Sequence, residues 1–450
     1  MDNVRFGVGR VTRFYVPLLL QAFSQSLTYP LVAGIVTHGK FGVNALTAFS
    51  QGQMIMFMIG ALGGGLVTTG MVFARTWYGY LSFKRLNALM MVALLALQCV
   101  PAVAPLNRWL FEGFFALSPD LAEVSRWTLV AGVIMNGGFF LRNVPMVVLF
   151  NNLESGKANN ATIARIIATL ACAVVFPKAG WVGPWWGLLA LTLGVWVELA
   201  VTWLYARPYV RELETSYSVA FGRRTPPAKE ILSLTVEQFH FTLPLALGGL
   251  LLASSPLVIA AFVGRTADAT DMLAVHYVTI GVANPVAYAA LRMQTVSVKF
   301  QPEYPGDRRL LAYAVVAGLM LGLVPFLFSM PGLGNWYFGH YQNVPDRILD
   351  TARLAIGIYS LITVIHTVRG RVEGIAAARK RPRAVMNGQI AYTVSMIVSC
   401  SIMLPLGVPG WAIAVTAIFI SPVCTTAAVY LSLADGFWYN VRKRLHLKHD

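Results

Sequence analysis

Long apolar runs, separated by short polar and mostly basic segments, repeat from one end of the chain to the other. Twelve of these runs are long enough to cross a bilayer, which needs about 20 apolar residues in a helix. They cover 13–36, 46–72, 86–104, 122–149, 160–177, 183–206, 239–263, 272–297, 310–330, 350–376, 385–404 and 409–435. The runs are unbroken rather than alternating, which predicts helices and excludes a β-barrel. The first run follows Arg5, Arg10 and Arg13, as a signal peptide would, but its length, its prolines and the spans after it predict a retained helix. The pattern therefore predicts an all-α polytopic membrane protein. The longest polar connection, 207–236, holds Arg207, Arg211, Arg223, Arg224 and Lys229. It reads as a cytoplasmic linker between six-helix bundles at 1–206 and 237–450.

Composition supports this reading. Hydrophobic residues make up 57% of the chain and charged residues 12%, against about 25% charged in soluble domains. The net charge of +16 sorts with topology. Twenty-four of the basic residues fall on the side of both termini and five on the other, so the positive-inside rule places both termini in the cytoplasm of a plasma or inner membrane. The charge is thus not a nucleic-acid footprint. Cys99, Cys172, Cys400 and Cys424 lie in apolar runs without metal or disulfide spacing. No phosphate loop, nucleophile elbow or zinc-helix motif occurs. The expectation is a monomeric non-enzyme in lipid, without cofactor, for which a proton or sodium ion is the one conceivable coupling species.

The two halves repeat at an offset of 227 residues. Pro17 matches Pro244, Trp109 matches Trp336, Arg126 matches Arg353, and Arg142 matches Arg369. Asn160, Ile163 and Ala164 match Asn387, Ile390 and Ala391, and Gly180 with Gly183 matches Gly407 with Gly410. Six spans per half is an even number, so the halves share one orientation. This predicts a parallel repeat about an axis along the membrane normal, an arrangement known in secondary transporters. Pro17 and Pro30 in span 1 and Pro244 and Pro256 in span 7 read either as hinges or as ordinary packing breakers.

The candidate chemistry lies with charges inside the spans. Arg142 and Arg369 are duplicated and sit at membrane depth, where a charge is costly and marks either function or a structural pin. His366 is one turn before Arg369 and shares its face. A guanidinium binds carboxylate or phosphate bidentately and stays charged, so these residues predict a site for an anion. Arg165 and Arg292 are secondary candidates that could instead snorkel to the surface. Glu198 is the one acid well inside a span, and is a candidate for proton or ion coupling or for pairing with an arginine. Glu237, at the start of span 7, is a second coupling candidate or a surface charge. Glu373 is placed to pair with Arg369 or Lys380.

Two six-helix halves, prolines in spans 1 and 7 and a basic connection between them resemble the multidrug and toxic compound extrusion (MATE) branch of the MOP superfamily. Within it, Arg13-Phe14-Tyr15-Val16-Pro17-Leu18, Thr367-Val368-Arg369, Leu404-Pro405-Leu406-Gly407-Val408-Pro409-Gly410, and Pro285 followed by Tyr288 resemble the progressive ankylosis protein family. The resemblance implies a cleft between two bundles and export of organic or phosphate-rich anions such as citrate, pyrophosphate or nucleotides by alternating access. Drug-exporting MATE proteins often carry an acid in span 1 or 7. Span 1 here has Gln21, Ser24, Gln25, Ser26 and Thr28, and span 7 only Glu237. That departure favours an arginine-lined anion cavity over a cation- or proton-coupled multidrug exporter. A lipid-linked oligosaccharide flippase, gripping a pyrophosphate head, is a further alternative.

Overall fold

The computed structural model describes residues 5–40, 42–115, 117–222, 226–304, 306–342 and 344–446; the side chains of 25–27, 29, 30, 43, 114, 270, 341 and 434–446 lie outside that description. Among the described residues every regular element is a helix. In order they are α1 (Val8–Thr37), α2 (Gly42–Ala61), α3 (Gly65–Phe73), α4 (Trp77–Cys99), α5 (Pro119–Asn151), α6 (Ser155–Lys178), α7 (Pro184–Phe221), α8 (Ala228–Ala253), α9 (Ser255–Val263), α10 (Ala269–Leu291), α11 (Met293–Lys299), α12 (Arg309–Ser329), α13 (Pro331–Gly334), α14 (Asp346–Ala378), α15 (Pro382–Met403) and α16 (Gly410–His446). Among the described residues 11 spans are long and apolar enough to cross a membrane, some built from two consecutive helices. The 30-residue α1 has the length for one more. The chain is a multi-pass membrane protein.

The repeat is visible in the backbone. Helices α5 and α14 each run for 33 residues and start 227 residues apart. Helices α2 and α10, and α6 and α15, also start at that offset. A π-helix at Arg108–Phe114 recurs at Asn335–Tyr341. Two non-glycine residues among those described have positive φ, Leu153 at 60° and Lys380 at 54°, and they too are 227 apart. A side chain is strained in that region, so its recurrence after α5 and after α14 means the same turn is built twice.

Two compact units emerge from the packing, Leu20–Leu250 and Met1–Leu19 with Leu251–Asp450. Their boundaries fall inside α1 and α8 rather than in the basic connection 207–236. Most of that connection is itself helical. Helix α7 continues to Phe221, closed by Gly222 in the left-handed conformation at φ 63°, and α8 begins at Ala228. The start of α8 packs in the 20–250 unit, where Ser82 Oγ donates to the Ile231 carbonyl at 3.2 Å and Thr69 and Thr242 share a bond of 2.7 Å. The start of α1 packs in the other unit, where Thr12 and Tyr313 pair at 3.0 Å.

The 20–250 unit buries a core of Val32, Phe49, Met56, Phe111, Leu129 and Val195 among others. The second unit has one core around Phe338, Ile356 and Tyr359 and another around Ile259, Met396 and Ile413. Helix α1 is continuous through Pro17 and Pro30, and α8 through Pro244; Pro30's side chain lies outside the described residues. Pro256 sits in the first turn of α9, after a break at Ser254, where its missing N–H would have no helical partner anyway. The second span breaks at 62–64 and the eighth at Arg292; at the offset of 227 Arg292 corresponds to Gly65, one residue past the first break.

Candidate functional site

In the 20–250 unit four helices converge on Glu198. Helix α5 brings Arg142, whose Nη1 donates to Glu198 Oε2 at 2.7 Å. Helix α6 brings Arg165, whose Nη1 donates to the same oxygen at 3.2 Å, and Thr162, whose hydroxyl donates to Oε1 at 2.6 Å. Helix α1 closes the network. Gln21 Nε2 donates to Thr162 Oγ1 at 3.1 Å, and Arg165 Nη2 donates to Thr28 Oγ1 at 3.2 Å. The Phe139 ring lies under both guanidinium groups, at 4.9 Å from Arg142 and 5.9 Å from Arg165. Glu198 is wholly buried, and the Arg142 and Arg165 side chains are 13% and 3% exposed. Arg165 is thus held inside by Glu198 rather than snorkelling to a surface.

In the second unit Arg369 is 1% exposed. Its Nε donates to Glu373 Oε1 at 2.8 Å, one turn further along α14, and its Nη2 donates to Gln389 Oε1 of α15 at 3.0 Å. Gln389 Nε2 returns to Glu373 Oε1 at 2.9 Å, and the Tyr392 ring stacks on the guanidinium at 5.2 Å. Beside this cluster is a cavity of about 120 Å³, lined by Arg369, His366, Tyr359, Tyr392, Tyr288, Asn284 and Ser255 among apolar neighbours. No Asp or Glu is among its lining residues.

The two clusters occupy matching positions. At the offset of 227, Arg142 corresponds to Arg369, Thr162 to Gln389, Arg165 to Tyr392, Phe139 to His366 and Thr28 to Ser255. The neighbourhood is kept too, since Arg165 bonds Thr28 and the matching Tyr392 and Ser255 line one cavity. The acids do not correspond. Glu198 matches Thr425, and Glu373 matches Met146.

Of the residues singled out in the sequence, Arg142, Arg165 and Glu198 come together in one unit, and Arg369 and His366 in the other. Arg292 is half-buried at the junction of α10 and α11 and does not line the cavity. Glu237 is on an exposed face of α8, outside both clusters. Sequence reasoning passed over Thr162, Gln389, Tyr392 and Tyr359. Applying the repeat offset to polar residues of α6 and α15 would have found the first three. Among the described residues no group of three or more His, Cys, Asp or Glu is placed to hold a metal.

No family model and no curated protein sequence matches the chain. Solved structures do match in fold. The eukaryotic MATE transporter AtDTX14 superposes with a TM-score of 0.72 at 14% identity, covering 95% of each chain. A multidrug resistance MATE family transporter of the MOP superfamily, in its outward-facing conformation, gives 0.68 at 16% identity over 97% of this chain and 95% of that one. A MOP superfamily transporter from Pyrococcus furiosus gives 0.67 at 15% identity over 95% and 96%; reverse polarity of its binding pocket is described as suggesting a different function. The chain therefore has the MATE fold, about twelve membrane helices in two bundles. The narrower likeness to the progressive ankylosis family rests on the sequence segments alone.

Proposed function

We propose that this protein is a secondary transporter or facilitator that exports an anionic solute by alternating access. One observation carries the reading. The cavity of the second unit is lined by Arg369 and His366 and by no carboxylate. A guanidinium stays charged at any physiological pH; Glu373 takes its Nε and is not among the lining residues, while Nη1 has no partner, so the cavity is offered a charged donor that suits an anion and no acid that would suit a cation. The segments resembling the progressive ankylosis family support the same class of solute. Glu198 would serve a sodium ion or proton only by giving up one of two arginines, so coupling through it requires the network around it to open.

The multidrug-exporter reading has one observation in its favour, the apolar and aromatic share of the cavity wall, including Leu252, Ile259, Tyr288 and Ile418. The two readings separate in proteoliposomes loaded with labelled anions (citrate, pyrophosphate, an aromatic carboxylate) or with a cationic dye. The anion reading expects release of at least one anion, lost in Arg369→Gln. Release of the dye alone, unchanged in Arg369→Gln, would replace it with the multidrug reading.

A further inference from the structure

Three residues on one face of α14 line the cavity and carry buried polar atoms without a hydrogen-bond partner: Tyr359 Oη, His366 Nδ1 and Arg369 Nη1. The residues are 3%, 7% and 1% exposed. Buried polar atoms are nearly always satisfied by protein, water or ligand, so three orphans beside one cavity point to an occupant. From this geometry we infer that the occupant is an amphiphilic monoanion, a monocarboxylate with an apolar or aromatic body and a second polar group, rather than a polyanion. The inference rests on the anion reading and narrows it.

Charge sets the first limit. Glu373 takes Nε of Arg369 and Gln389 takes Nη2. One carboxylate already matches the one guanidinium, and only Nη1 remains for a ligand. With Glu373 already paired to Arg369, every negative charge a ligand brings is in excess, so a single one costs least and the several of citrate or pyrophosphate are strongly unfavourable. A single carboxylate can take Nη1, with His366 one turn away. Spacing sets the second limit. Tyr359 is seven residues before His366, roughly 10 Å along the helix axis. Ile362 lies between them on the cavity wall, with Ile280, Ile259 and Ile418 also lining it. A ligand reaching from the His366 end of the site to Tyr359 therefore needs an apolar middle and a polar far end. The cavity of about 120 Å³ has room for a body of about one ring.

The test is calorimetric titration of the full-length, detergent-purified protein with 3-(4-hydroxyphenyl)propionate, 3-phenylpropionate, citrate, pyrophosphate and tetraphenylphosphonium. The hydroxylated monoacid is expected to bind at least about tenfold tighter than citrate or pyrophosphate. Tyr359→Phe is expected to weaken it about fivefold, the worth of one hydrogen bond, and to leave 3-phenylpropionate unchanged. The double variant Arg369→Gln with Glu373→Gln removes both charges together, so that neither is left buried alone, and is expected to abolish binding of every acid. Tighter binding of citrate or pyrophosphate would overturn the monoanion inference and leave the anion reading standing. Binding of tetraphenylphosphonium alone would overturn both, and failure of both monoacids to bind would overturn the inference.

Discussion

In the unit built on α5, α6 and α7, one carboxylate on a separate helix serves two arginines; in the unit built on α14 and α15, the carboxylate sits on the arginine's own helix and serves one. The positions match through the repeat, yet the consequences differ. Glu198 ties α5, α6 and α7 together, and Gln21 and Thr28 add α1, so this cluster holds helices to one another. The Arg369–Glu373 pair is an i,i+4 contact on α14; it reaches one further helix, through Gln389 of α15, and leaves Arg369 Nη1 without a partner on a face that lines a cavity. A duplicated charge is thus a tie in one half and a wall of a chamber in the other. The acid's location decides which.

The largest expected effect tests the tie. Glu198→Gln leaves two buried arginines without a counter-charge and is expected to cost about 3–5 kcal/mol, the usual consequence of removing one partner of a buried pair. Glu373→Gln strands a single arginine that keeps Gln389, so its loss of stability is expected to be smaller. Thermal unfolding in detergent, followed by tryptophan fluorescence, ranks the two. If Glu373→Gln proves the more damaging, the distinction between tie and wall fails.

The second effect concerns ligand. Arg369→Gln is expected to weaken binding of the best anion by about tenfold or more, about 1.4 kcal/mol, since a lost bond to a charged group is worth roughly 1.5–3 kcal/mol. Arg142→Gln is expected to change it less than about twofold, because Arg142 pairs with Glu198 and does not line the cavity. Titration of both variants with the same anion reads the ratio directly. Equal losses would make both clusters binding sites.

Much of this was legible in the chain. The twelve apolar runs correspond to the helices from α1 to α16 once the broken spans are counted as one and the four-residue α13, which lies between runs, is set aside, because bilayer thickness sets run length directly. The offset of 227 was readable from Trp, Arg, Asn and Pro, and the backbone repeats it down to Leu153 and Lys380. Two things were hidden. The unit boundaries inside α1 and α8 leave no mark, since nothing in a helix's composition tells which neighbour each end packs against. The partners of the arginines were hidden as well. Glu198 is 56 residues from Arg142 in the chain, and only packing brings them together, whereas Glu373 is one turn from Arg369 and could be guessed.

A smaller effect probes the packing around the tie. A Cβ on Gly194 would lie 2.3 Å from Thr169 Oγ1 and 3.1 Å from Arg165 Cγ. Gly194→Ala therefore pushes α7 away from α6 beside the network and is expected to cost about 1–3 kcal/mol. The matching residue in the other half is Ser421, whose hydroxyl merely donates back to the Ala417 carbonyl at 2.6 Å. Ser421→Ala is expected to stay within about 1 kcal/mol. Thermal midpoints of the two variants check this ordering.

The smallest effect separates the two halves by pH. Before α12, Asp307 accepts from Arg309 Nε at 3.0 Å, from Arg309 Nη2 at 2.9 Å and from the Arg309 and Glu303 backbone N–H groups, while Glu303 accepts from the Phe6 N–H at 3.1 Å. Hydrogen bonding to the Arg309 side chain holds the Asp307 carboxyl well below its usual range and lowers that of Glu303 too. A carboxylate whose folded value is depressed adds stability above its ordinary value, near pH 4, and loses it as pH falls through the lower folded value. Thr76, the residue matching Glu303, caps α4 by accepting from the Gly79 N–H at 3.2 Å and does not titrate. As pH falls from about 5, through the ordinary carboxylate range, toward the lower folded values, protection of the amides at residues 6–12, corrected for the intrinsic exchange rate, is expected to fall in the wild type more than at 233–239. In Arg309→Gln that extra loss of protection should shrink, because the depressed values relax once the guanidinium is gone. The pairs are partly exposed, so the change is modest. Equal loss of protection in the two segments, or no dependence on Arg309, would show that the start of α1 is held by its apolar packing and by Thr12, and that charge contributes nothing to the asymmetry between the two helix starts.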